Sequence, residues 1–182
     1  MKSEPFSNRV ERLLVRLASV EKAITFVAFM LLILAVFADV VSRELTGTGL
    51  HWARQGGVYA NLFVVMFGLG LASAGGSHLR PRFADGWLPE RLAPLLERAN
   101  DLGMAAFCVA FAVIATGVVV DSFGLQERSV ALRIAIWPFQ AVIPLAFAIG
   151  GVRHLAYATF PELRPPDVGA LATDVEEAGT AG

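Results

Sequence analysis

The chain has 182 residues, 55% of them apolar and 17% charged, with a mean hydropathy of +0.60. A soluble domain carries about 25% charged residues, so a small membrane bundle suits this length and composition. The net charge of −1 and the single cysteine exclude a basic nucleic-acid binder, an intrachain disulfide and a CxxC metal site.

Residues 1–22 are polar and net basic. Val10, Leu13, Leu14 and Leu17 recur at helical spacing, opposite Arg9, Arg12 and Arg16. Two readings stay open: an amphipathic helix on the membrane surface, its arginines near lipid phosphates, or a cytoplasmic extension of the first span. That span is expected over 23–41, with sixteen uncharged residues before Asp39. Val36-Phe37-Ala38 resembles a signal-peptide cleavage site. The apolar run is longer than a usual signal core and three more spans follow, so an uncleaved helix is expected.

The second span, 57–75, has nineteen residues without a formal charge. That matches the ~20 residues a helix needs to cross a ~30 Å hydrocarbon core. A charged connection follows, in which Leu88, Leu92, Leu95, Leu96 and Ala99 share a helical face. It predicts a second amphipathic interfacial helix, with Pro89 at its first turn and Pro94 bending or interrupting it.

The third span, 102–120, is again nineteen uncharged residues ending at Asp121. The fourth is expected over 134–151, kinked near its middle by Pro144 and closed by Arg153 and His154. Residues 159–182 are expected to be disordered, being rich in Pro, Ala and Gly with four acids from Pro165 onward. Eleven of the fifteen basic residues fall in the N-terminal segment, the 79–101 connection and the C-terminal segment. The positive-inside rule therefore puts both termini in the cytoplasm. The fold class expected is an all-α integral membrane protein: four transmembrane helices plus short amphipathic interfacial helices.

No nucleophile triad, phosphate loop or HExxH motif is present, and no pair of His51, His78 and His154 has metal-ligand spacing. Asp39 is the one charge read as lying inside a span. Arg43 follows four residues later on the same face, which predicts a structural ion pair in preference to an ion-coupling site. Gly68, Gly70, Ala72, Gly75 and Gly76 in the second span, and Ala146, Ala148, Gly150 and Gly151 in the fourth, allow close helix approach. Packing within this chain accounts for part of them; a larger partner is expected for the rest.

Several residues together resemble a family. Arg43 ends the first span and Trp52 leads into the second, which closes on Gly75-Gly76-Ser77-His78-Leu79-Arg80. Ser129-Val130-Ala131-Leu132 and Ile136-Trp137 precede the fourth span, and Ile143-Pro144 lies within it. Over residues 23–158 this pattern resembles the small membrane subunit (DctQ type) of a tripartite ATP-independent periplasmic, or TRAP, transporter. The sequence departs from the family at Ala53-Arg54-Gln55, where acidic residues commonly follow the tryptophan, and at Pro138, displaced from its usual place before Trp137.

The resemblance implies a non-catalytic inner-membrane subunit without cofactor or metal. It would scaffold a large membrane subunit and help dock a periplasmic substrate-binding protein, in ion-gradient-driven uptake of organic acids. It makes Arg43, Trp52, His78, Arg80, Trp137 and Pro144 the candidate contacts to these partners, with membrane lipids as the surrounding solvent. Two alternatives remain at this point: the small subunit of a tripartite tricarboxylate transporter, and a haem- or quinone-binding anchor of a redox complex, for which His78 and His154 would be the ligands.

Overall fold

The computed structural model describes residues 4–75 and 93–165. Five α-helices follow in order: α1 Glu4–Thr46, α2 His51–Ala74, α3 Ala93–Gly124, α4 Trp137–Gln140 and α5 Val142–Thr159, with a 3₁₀ turn over Pro161–Leu163. Among the described residues no β-strand forms; an isolated bridge joins Arg128 to Ala135. Four helical stretches are long and apolar enough to cross a membrane: Ser7–Thr46, His51–Ala74, Leu95–Gly124 and Trp137–Thr159. The all-α, four-span architecture expected from the sequence is the one observed.

The helices outrun the uncharged segments that announce them. Residues 4–22 continue α1 without a break. The stripe beginning at Val10 meets protein in part: Leu14 is buried against Ala156 and Tyr157, with Val10 and Leu163 packed around them, while Leu13 is exposed. From Ala93, α3 runs without interruption past Pro94 and the charged residues to Gly124. Residues 79–92 of the expected connection and residues 166–182 of the expected tail lie outside the described residues, while Thr159 ends α5 and Pro161–Leu163 form the 3₁₀ turn.

The last span departs most from expectation. Residues 134–136 belong to a loop held by the Arg128–Ala135 bridge and by the Ile136 N–H bond to Glu127 O (3.1 Å). Helix starts at Trp137, breaks at Ala141 and resumes at Val142. The break precedes Pro144 by one turn, and proline chemistry explains the offset. A proline removes the hydrogen bond to the carbonyl four residues earlier and its ring clashes there, which is Gln140. The helix then passes the expected end at Gly151 and runs to Thr159.

Packing is sequential across the molecule: α1 lies on α2, α2 on α5, and α5 on α3. Small residues bring α3 and α5 together. A Cβ at Gly150 would stand 3.4 Å from Cys108 Sγ, and one at Gly151 would stand 3.4 Å from Val109 Cγ2. Phe107, Phe111 and Phe147 cluster beside this seam, with ring centroids 4.4 to 6.3 Å apart. Tyr59 of α2 stacks on Phe139 of α4 at 4.1 Å. Elsewhere apolar side chains point outward: Phe26, Leu34, Phe37, Val113 and Ile114 are all more than 60% exposed. Apolar surface on this scale suits hydrocarbon or a partner, not water.

Candidate functional site

Two polar layers cross the bundle at opposite ends. Glu21 and Asp39 mark them on α1, eighteen residues apart. At 1.5 Å per residue that is about 27 Å, close to the ~30 Å thickness of a hydrocarbon core.

At the Asp39 end, the carboxylate joins consecutive helices. Oδ2 accepts from Arg43 Nη2 at 2.7 Å, the pair expected from their spacing. Oδ1 accepts the N–H of Leu50 at 2.6 Å, so it ties down the residue that opens α2. Between them the chain reverses through Gly47, whose φ of +73° suits glycine. Gly49 is there for space: a Cβ would stand 2.7 Å from Asp39 Oδ1. Trp52 projects from the first turn of α2 and is 55% exposed. Trp137 packs edge-on against Phe123 at the same end of the bundle, with centroids 5.5 Å apart. Pro144 lies in the first turn of α5. His78 and Arg80 lie outside the described residues.

The opposite end holds what the sequence reading missed. Arg153, expected to close the fourth span at the membrane surface, is 1% exposed and sits inside the helix. Its Nη2 donates to Glu21 of α1, itself 1% exposed, while Nη1 donates to Gly70 O of α2 at 2.5 Å. One guanidinium thus joins three helices. Gly70 makes room for it, since any Cβ there would collide with the Glu21 carboxylate. Asp39 is therefore not the one buried charge within the membrane-length helical stretches.

His154, expected at the span's end, is also buried. Its Nε2 is 3.2 Å from Ser73 Oγ on α2, and its Nδ1 is 3.3 Å from Asp101 Oδ1 on α3. The other Asp101 oxygen accepts from Arg164 beyond α5, and Arg164 also donates to Glu97. Opposite charges at three helices and the 3₁₀ turn so neutralise one another. Buried charges require such pairing, because desolvation otherwise drives them neutral or apart. A sequence signal was available. Glu21, Asp101, Arg153 and His154 all flank apolar runs at the same expected membrane face, with complementary signs.

Chemically, both layers hold helices together. Among the described residues no group of three metal-ligating side chains converges. The haem reading required His154, both of whose ring nitrogens already face protein partners. A cleft of about 310 Å³ lies between α2 and α3 over α5, lined mainly by apolar residues such as Met66, Met104, Phe107 and Phe147, with Ser73, Asn100 and His154 among its polar ones.

A family model described as "Tripartite ATP-independent periplasmic transporters, DctQ component" matches residues 32–160. No curated protein matches the chain.

Proposed function

We propose a function from one premise: the chain belongs to the DctQ component family of tripartite ATP-independent periplasmic transporters. It is thus a small membrane subunit of a TRAP transporter, in the inner membrane. Proteins of this family work in complexes with a large membrane subunit and a periplasmic binding protein. On our reading this chain is a static, non-catalytic scaffold that packs against the large subunit and helps receive the loaded binding protein. The complex then takes up organic acids on an ion gradient, and the substrate and ion sites belong to the large subunit.

The observation that carries this reading is the state of the charges in the bundle. Arg153, Glu21, His154 and Asp101 are buried and matched to one another across helices. An ion-coupling site needs ligands that can be released and bound again, whereas these bonds join α1, α2, α3 and α5 into one body. With both termini in the cytoplasm, as the charge distribution suggests, Arg43, Trp52 and Trp137 stand at the periplasmic end, near the docked binding protein. His78 and Arg80 then anchor the cytoplasmic end of α2, and Pro144 shapes α5 for the partner.

The test is co-purification with the large subunit, followed by uptake of organic acid in cells lacking this chain. Loss of uptake that returns with the restored chain is expected. Undiminished uptake in its absence would contradict the proposal.

A further inference from the structure

An exposed polar side chain in the apolar zone makes no hydrogen bond among the described residues. Asn61 lies on α2, eleven residues past Leu50 and nine before Gly70. At 1.5 Å rise it stands about 16 Å from the Asp39 layer and about 14 Å from the Arg153 layer, in the middle of the membrane. It is exposed, and among the described residues its amide makes no hydrogen bond.

Helical geometry defines the face it occupies. Residues three, four and seven apart lie above one another, which groups Arg54, Val58, Asn61, Val65, Gly68 and Ala72. Arg54, Asn61 and Ala72 are exposed, and Val58 and Val65 are at least half exposed. The opposite side of α2 meets α1 and α5, through Gly70 and Phe67 among others. The two glycines differ accordingly. Gly70 has the Glu21 carboxylate against it, while a Cβ at Gly68 would meet nothing within 4 Å. This chain's own packing explains the first and leaves the second without a role.

Hydrocarbon offers an amide neither donor nor acceptor, so a lipid tail cannot satisfy Asn61. A transmembrane helix can, and interhelical bonds from Asn side chains hold helices together in membranes. We propose that the α2 face centred on Asn61 seats a transmembrane helix of the large subunit, which brings a polar side chain to the Asn61 amide at mid-membrane. This rests on the scaffold function proposed above. Arg54 and Ala72 bound the contact along α2, and Gly68 lets the two backbones approach about two turns beyond the polar bond.

The test uses the two subunits co-expressed, with the large one tagged. With benzoylphenylalanine in place of Asn61, ultraviolet light should give an adduct that mass spectrometry assigns to a helix of the large subunit. Asn61→Leu should lower the fraction of chain retained on the tagged subunit about fivefold and leave this chain's own unfolding temperature unchanged. Asn61→Gln should keep most of the retention. Wild-type retention with undiminished Asn61→Leu retention, or an adduct only to a second copy of this chain or to lipid, would overturn the α2 seat alone. Failure of the wild type to be retained would overturn the scaffold function and the seat with it.

Discussion

The two polar layers solve the same problem with different reach. At the Asp39 end the bonds are local: an i,i+4 pair and an N–H at the start of the next helix, with the Arg43 side chain 56% exposed. At the Arg153 end they are long-range, joining residues 132 positions apart, and both side chains are 1% exposed. Depth sets the difference in energy. An exposed pair is screened and adds little, whereas a buried charge left without its partner is strongly unfavourable. The first layer closes a hairpin; the second holds that hairpin to the rest of the bundle.

Removing one member of the deep pair should have the largest effect. Arg153→Met leaves Glu21 buried without a counter-charge and Gly70 O without its donor, and should cost about 3–5 kcal/mol. Thermal unfolding in detergent would register it. The double variant Glu21→Leu, Arg153→Met should recover most of that loss, since a well-packed apolar pair often equals a buried ion pair. If single and double variants were equally destabilised, the deep layer would not act through charge pairing.

Next come the two glycines of α2. Gly70→Ala pushes a methyl group into the Glu21 carboxylate and should cost about 1–3 kcal/mol, as overpacking does. Gly68→Ala enters open space and should leave the unfolding temperature of the isolated chain unchanged or slightly raised, because alanine is the better helix former. Equal effects would mean that α1 does not press on α2 at Gly70.

The shallow layer should respond least. Asp39→Ala loses the Leu50 N–H bond and the Arg43 pair together and should cost about 1–2 kcal/mol. Arg43→Ala removes only the exposed partner and should cost less than about 1 kcal/mol. A larger loss for Arg43 than for Asp39 would reverse the reading of that turn.

The contrast also separates what the sequence made legible from what it did not. Uncharged runs bounded by charge gave the four spans, and i,i+4 spacing gave Asp39–Arg43, because both signals are local. The Glu21–Arg153 pair depends on which helices become neighbours, and spacing along one helix carries no trace of that. A basic residue closing an apolar run reads as a membrane-surface anchor, yet Arg153 and His154 lie inside α5, where eight more helical residues follow Gly151. The helix break at Ala141 was nearer to hand, since a proline acts on the carbonyl one turn before it. Small residues announced close packing without a partner; only the space around each one distinguishes Gly150, which faces Cys108, from Gly68, which faces outward.

The most direct measurement is substrate uptake by the full transporter carrying the Glu21→Leu, Arg153→Met double variant, in membranes where the assembled complex is present at wild-type level. If this chain is a scaffold whose buried charges only bind helices together, uptake should stay within about twofold of wild type, as expected when one packed pair replaces another. Abolished uptake by an intact, fully assembled complex would put Arg153 and Glu21 in the transport cycle itself and contradict the scaffold role.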